Sequence, residues 1–194
     1  KMGGFGFFKR QFWGKVHTTS KFNIWWLGNW IWMKKLFILF LFFTFDLSSQ
    51  DCSEFFLIRH AEKDRTDPEN KNPNLNEKGK LRALKWAEVF KNLEFDKIYS
   101  TNYYRTLETV EPISKKIKKE ISIYSPSKIN YDKFLSDNNN NKVLVVGHSN
   151  TIPGFVNGLI KKKLYDQIDD RNNSNLYIVK ICNNSISHNL LYIK

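Results

Sequence analysis

Acidic residues are scarce in this chain, cysteines are few, and no apolar run is long enough to cross a bilayer. Nineteen Asp and Glu stand against 31 Lys and Arg in 194 residues, a formal net charge of +12. An excess of that size raises the question of a nucleic-acid partner, and its distribution answers it. Seven of the basic residues (Lys1, Lys9, Arg10, Lys15, Lys21, Lys34 and Lys35) and one acid, Asp46, fall in residues 1–50. The 24 basic and 18 acidic residues that remain leave residues 51–194 with only +6. Their lysines are scattered, apart from Lys115–Lys119 and Lys161–Lys163, which read as solvated helix faces, so no nucleic acid is expected. The two cysteines, Cys52 and Cys182, lie in no cluster of metal ligands, so neither a metal nor a cofactor is implied. In an oxidising compartment they could pair; equally they could be two ordinary thiols. The sequence leaves both open. The apolar run Leu36 to Phe45 has ten residues, short of the roughly 18–20 that a spanning helix needs.

That run belongs to a leader-like passage. Met33-Lys34-Lys35 is a basic start, the apolar run follows, and Asp46-Leu47-Ser48-Ser49-Gln50 is a small, polar exit. The combination predicts a secretory signal peptide over residues 33–50. Upstream, five of the six tryptophans (Trp13, Trp25, Trp26, Trp30 and Trp32) follow no helical or strand period. Residues 1–32 are therefore expected to be an over-extended N-terminus outside the fold, and residues 51–194 the folded domain. The protein is expected to be exported, periplasmic or secreted, or held at a membrane if the leader stays uncleaved.

From Glu54 onward, strand-like and helix-like stretches alternate. Glu54–Ile58 reads as a strand and Asp64–Asn76 as a polar loop. Gly79 opens a helix whose Leu81, Leu84, Ala87, Val89 and Phe90 share a face. Lys97–Tyr99 reads as a strand and Arg105–Lys118 as a helix with Leu107, Val110, Ile113 and Ile117 on one side. A strand at Ile121–Tyr124 and a short helix at Tyr131–Leu135 follow. Val143–Val146, four aliphatic residues, suits a strand buried on both faces. A helix starts near Thr151 with Pro153 in its first turn, and Leu176–Ile181 with Leu190–Ile193 predicts a terminal hairpin. The fold class expected is α/β: a three-layer α/β/α sandwich with a mostly parallel sheet, helices on both faces and a C-terminal antiparallel hairpin.

In such a sheet, ligands bind beyond the carboxyl ends of the parallel strands. Three strands end there in polar clusters: Arg59, His60 and Glu62; Ser100 and Thr101, with Arg105 a helical turn later; and Gly147, His148, Ser149 and Asn150. Two guanidiniums and two imidazoles can surround one small, highly charged group. Guanidinium forks match phosphate oxygens, and a neutral imidazole can attack phosphorus and carry the phosphoryl group. The next helix N-terminus adds its positive dipole end. His17 lies in the segment ahead of the fold and His188 in the hairpin, so neither is a candidate.

Four motifs now stand in order: Leu57-Ile58-Arg59-His60-Ala61-Glu62-Lys63, Leu75-Asn-Glu-Lys-Gly79, Ile98-Tyr-Ser-Thr-Asn-Tyr-Tyr-Arg105-Thr106-Leu-Glu-Thr109, and Val146-Gly-His148-Ser-Asn. Together they resemble the histidine phosphatase superfamily, the phosphoglycerate-mutase-like clan, across essentially all of residues 54–193. The resemblance implies that His60 is the nucleophile phosphorylated in turnover, with Arg59, Arg105 and His148 holding the phosphoryl group. It implies hydrolysis of a phosphate monoester or phosphoramidate, on a small phosphorylated substrate or a phosphoprotein. Alternatives are phosphoglycerate-mutase-like phosphoryl transfer, or a phosphate-binding or scaffold protein with weak turnover. Glu62, Ser149 and Asn150 are candidate substrate-binding residues; Glu62 could instead form a local ion pair, and Ser149 and Asn150 could cap the helix that follows. The family's separate proton-donating acid has no counterpart here. Ser149 stands where some members carry an aspartate, and segment 119–141 offers only Glu120, Asp132 and Asp137. In this the chain resembles the small, acid-poor branch that includes phosphohistidine phosphatases, although an exported protein would not meet that cytoplasmic substrate.

Overall fold

An unbroken apolar run has no solvent side, so Phe55-Phe56-Leu57-Ile58 requires cover on both faces of whatever sheet it joins. The computed structural model of the protein, which describes residues 51–183 and 185–194, supplies that cover. The leader and the tryptophan-rich segment expected over residues 1–50 lie outside the described residues. The elements follow in chain order: β1 (Cys52–Arg59), α1 (Glu77–Val89), β2 (Lys97–Ser100), α2 (Tyr104–Ile117), β3 (Ile121–Ile123), a 3-10 turn (Pro126–Lys128), α3 (Tyr131–Asp137), β4 (Lys142–Gly147), α4 (Thr151–Leu159), β5 (Asn175–Cys182) and β6 (Ser185–Tyr192). The strands form one sheet in the order β3-β2-β4-β1-β5-β6. β3, β2, β4 and β1 run parallel, while β5 and β6 pair antiparallel as the hairpin.

Alternation along the central strands sorts the core into two layers. Phe55, Leu57, Val143 and Val145 pack against Ile152, Phe155, Val156 and Leu159 of α4. Phe56, Ile58, Leu144 and Val146 face the other way, onto Trp86 and Ala87 of α1, Phe90 that caps its end, and Val110 and Ile113 of α2. This is the three-layer sandwich expected from the alternating pattern.

The buried face of α1 differs from the expected one. Ala87 and Phe90 are buried, but Leu81 and Leu84 are 68% and 58% exposed, and Ala83 and Trp86 point inward instead. The helix has more apolar residues than one stripe can bury. The register that places a full indole against the sheet, stacked on Phe90 with ring centroids 5.6 Å apart, removes more apolar surface from water than one that buries two leucines. The hairpin is also longer than expected. β6 begins at Ser185, and Cys182 lies opposite it.

Register brings the two cysteines together. Cys52 opens β1 and stands directly across from Cys182, the last residue of β5. With their Cα atoms 4.2 Å apart they form a disulfide across a chain separation of 130 residues. On the chain-entropy account, closing a loop of that length stabilises the fold by roughly 5 kcal/mol.

Candidate active site

The register also sets the site. Arg59 pairs with Gly147 and Ser100 with Val146, so β1, β4 and β2 end at nearly the same level. The next residues are His60, His148 and Thr101. The ladder continues one step further, where the His60 amide donates to the Gly147 carbonyl at 2.9 Å. The imidazoles of His60 and His148 then meet with centroids 5.4 Å apart. Arg105, in the first turn of α2, reaches the same point, its Nη2 3.5 Å from His148 Nδ1.

The tautomers follow from the partners. His60 Nδ1 lies 2.7 Å from the Ala61 carbonyl. A carbonyl only accepts, so Nδ1 carries the proton and the Nε2 lone pair is free. An arginine only donates, so His148 Nδ1 accepts from Arg105, and its Nε2–H points to Thr101 Oγ1 at 2.9 Å. Burial lowers the His60 pKa to about 3, with Arg59, His148 and Arg105 adding to the effect against the Ala61 hydrogen bond. Burial first, then Arg105, Arg59 and Lys63, lowers that of His148 to about 4. Both rings are neutral near pH 7.

Arg59 is 2% exposed. Its Nη1 donates to the carbonyls of Asp169 and Asn172 at 2.9 and 3.0 Å, and its Nη2 to Asp170 Oδ1 at 2.7 Å. Arg65 holds the other oxygen of Asp170 at 2.6 Å. The Nε of Arg59 and the Nε of Arg105 are both buried without a partner. Arg105 lies over the Tyr103 ring at 4.4 Å, and burial lowers its pKa against the tyrosine, with Arg59 also lowering it. Two orphaned guanidinium donors and a half-buried cation in one place leave positive charge poorly answered. An anion would answer it.

The support around His60 is specific. Its carbonyl accepts from Asn173 Nδ2 at 2.8 Å. The next amide, of Ala61, donates to Thr109 Oγ1 at 2.8 Å, and that hydroxyl donates to the Arg105 carbonyl at 2.6 Å. The segment after His60 packs on α1 so closely that a Cβ on Gly79 would sit 2.1 Å from the Glu62 carbonyl oxygen. Only glycine allows that approach. The neighbouring Asn76 caps α1 by accepting from the Gly79 amide at 2.8 Å, while its own amide donates to Glu62. The motif from Leu75 to Gly79 is thus a docking joint for the histidine loop.

Arg59, His60, Arg105, His148, Ser149 and Asn150 line one cleft of about 1150 Å³. Glu62 does not line it. Its carboxylate faces α1, where Arg82 Nε donates to both oxygens at 3.0 and 2.8 Å. That is the local ion pair allowed by the sequence, and it fixes the loop. Capping by Ser149 and Asn150 is not observed. Asn150 makes no side-chain cap hydrogen bond, and Thr151 Oγ1 instead accepts from the His148 amide at 3.0 Å. The amides of Thr151 and Ile152 donate to the His148 carbonyl, so these two are not free for an anion.

Sequence reasoning passed over Asp170 and Asn173, and left Lys63 between orienting the site and a local ion pair. Lys63 lines the cleft; burial first, then Arg65 and Arg105, lowers its pKa, while Asp170 opposes them. Asp170 is the one carboxylate among the described residues lining the cleft. Burial raises its pKa, but hydrogen bonds from Arg59 and Arg65 outweigh this and hold it ionised. It sits 111 residues from Arg59 in the loop after α4, where no periodic signal could single it out. Among the described residues, no three His, Cys, Asp or Glu side chains gather as metal ligands would.

Comparison with known proteins bears on the fold and on part of the sequence. The model of the histidine phosphatase superfamily (branch 1) matches residues 55–125. No curated protein matches in sequence. Among solved structures, the putative phosphohistidine phosphatase SixA from Agrobacterium tumefaciens is 18% identical, with a TM-score of 0.54 over 72% of this chain and 97% of its own. A putative alpha-ribazole-5'-P phosphatase from Escherichia coli is 13% identical, with a TM-score of 0.59 over 72% of this chain and 96% of its own. The phosphoglycerate mutase from Bacillus anthracis is 12% identical, with a TM-score of 0.55 over 73% and 93%. At these identities the likeness is one of fold. The sequence match runs from the strand that delivers Arg59 and His60 to just past the strand beyond Arg105, and over that stretch the chain is similar to the histidine phosphatase superfamily.

Proposed function

We propose that the protein is a phosphatase that works through a phosphohistidine on His60. The observation that carries this is the state of that imidazole: buried, neutral, with Nε2 free, and set beside two guanidiniums whose buried Nε–H groups have no partner. In the first step Nε2 attacks phosphorus, the N–P bond forms and the bond to the leaving group breaks. Arg105, Arg59 Nε and Lys63 answer the charge on the phosphoryl oxygens. In the second step water attacks phosphorus, the N–P bond breaks, phosphate departs with the oxygen of water, and the surplus proton goes to solvent. His148 accepts a proton as phosphate binds, because a dianion beside it opposes the burial that keeps it neutral.

The leaving group receives little help. Asp170 is held ionised by two arginines, so no carboxylic acid in the cleft has a proton to give. General acid catalysis is typically worth about 10²–10⁴-fold, and esters with poor leaving groups forgo it. We also propose that the protein is exported, a reading that rests on the leader-like residues 33–50. The Cys52–Cys182 disulfide supports it, because such bonds persist in oxidising compartments.

The test is to incubate the protein with p-nitrophenyl phosphate and quench in acid and in alkali. Acid-labile, alkali-stable phosphate on the wild type, with its loss and a fall in kcat of at least roughly 10³-fold in His60→Ala, is the expected result. Unchanged turnover in His60→Ala removes the assignment.

A further inference from the structure

Gly154 has no structural reason to be a glycine. It lies inside α4, where glycine is less favourable than alanine. The usual reasons for bearing that cost do not apply: its φ is not positive, and a Cβ there would meet no atom within 4 Å. Two neighbouring glycines do have reasons. A Cβ on Gly158 would sit 2.3 Å from the Tyr131 ring, and one on Gly147 would sit 2.7 Å from the Tyr124 hydroxyl. Gly154 instead opens onto the cleft that holds His60 and His148.

The lining that comes from β3, the 3-10 turn, α3 and α4 is uncharged and mostly aromatic or apolar: Ile123, Tyr124, Pro126, Tyr131 and Phe155, with the hydroxyls of Ser125 and Ser127 among them. Tyr124 and Tyr131 each meet Phe155 edge to face, with centroids 5.7 and 5.6 Å apart. The charged side chains that line the cleft are Arg59, Lys63, Arg105 and Asp170, which gather around the two histidines. Among the described residues none of these belongs to the aromatic end, so a carboxylate or ammonium on a leaving group would find no charged partner there.

We infer that the cleft takes a phosphate ester whose leaving group is an uncharged aromatic ring, seated on the bare backbone of Gly154 between Tyr131 and Tyr124. The inference rests on the phosphatase reading and names its substrate class. It also resolves the lack of an acid. A phenol has a pKa near 10, so when the P–O bond breaks the electron pair can leave on a phenolate that solvent then protonates. An alkoxide is far more basic. The ring can come from a small aryl phosphate or from a phosphorylated tyrosine in a peptide, which present the same chemistry.

Non-hydrolysable phosphonates test the seat apart from the reaction. Dissociation constants of methylphosphonate and phenylphosphonate are measured by calorimetry on the full chain, wild type, Gly154→Leu and Tyr131→Ala. The wild type is expected to bind phenylphosphonate at least tenfold more tightly than methylphosphonate. Both variants should reduce that ratio below threefold, one by filling the seat and the other by removing a wall. Absence of a phenyl preference in the wild type, or a tenfold preference kept in both variants, overturns the inference. A phenyl preference with no hydrolysis of any ester supports the seat and sinks the phosphatase reading instead. A peptide carrying the phosphonomethyl analogue of phosphotyrosine separates the sources. Tighter binding than phenylphosphonate points to a protein substrate, weaker binding to a small ester, and either result supports an aromatic leaving group.

Discussion

The two ends of the cleft are built from different materials. The charged end stands on the carboxyl ends of β1, β2 and β4, with buried side chains whose partners are fixed by register and by backbone carbonyls. The aromatic end takes Gly154 and the buried Phe155 from α4, but its other walls stand on or beside the three-residue strand β3, a 3-10 turn and the seven-residue helix α3, none of which contains a fully buried residue. In the proposed function, chemistry that must hold atoms in place falls to the rigid sheet edge. In the same reading, recognition of the leaving group falls largely to short, exposed elements that can change without disturbing that edge.

The largest expected effect tests whether the charged end acts on every substrate alike. Arg105→Ala should lower kcat/KM by about 10²–10³-fold, to the same degree for aryl and alkyl phosphates. A loss confined to one class would break the division between the ends. The second effect depends on pH. Both histidines have folded-state pKa values below the 6.5 of an exposed imidazole, about 3 and about 4. Between those values and 6.5 the unfolded chain binds more protons than the folded one. The stabilisation is therefore complete above pH 6.5 and is lost progressively as pH falls toward 4. Urea midpoints at pH 6.5 and pH 4 should show this loss, and it should shrink in His60→Ala. An acid sensitivity equal in the variant and the wild type would show that the charged end is not the source. The smallest effect belongs to the aromatic end. Gly154→Ala should raise the stability of the fold by about 0.5–1 kcal/mol, read as a shift in the urea midpoint, because the added methyl meets nothing.

The charged end was largely legible in the sequence, and the aromatic end was not. Apolar runs that stop at Arg59-His60 and Gly147-His148 announce strand ends, and parallel strands with short connections bring such ends together whatever lies between. Arg105 follows, because the helix it opens packs beside that edge. Asp170 could not be read, since its partner Arg59 is distant in the chain and the loop that carries it has no period. The same limit explains α1. Hydrophobic spacing suited both Leu81 with Leu84 and Ala83 with Trp86, and only the shape of the sheet surface selects between them. Ser149 and Asn150 had the chemistry of caps, but Asn150 leaves α4 without a side-chain cap and Thr151 reaches back to the His148 amide. The significance of Gly154 emerges only when the empty space above it is seen.

The cross-strand disulfide has a consequence for how the domain survives damage. Cys52 and Cys182 close a covalent ring around nearly all of the described chain, and the polar loop from Arg65 to Lys71, exposed throughout, lies inside that ring. A protease that cuts this loop therefore opens the ring without releasing a piece. The strand bearing Arg59 and His60 stays tethered to the hairpin strand beside it, and the remainder of the chain stays tethered with it. Wherever reductants are few, such a nicked molecule keeps its two halves at the effective concentration of a single chain.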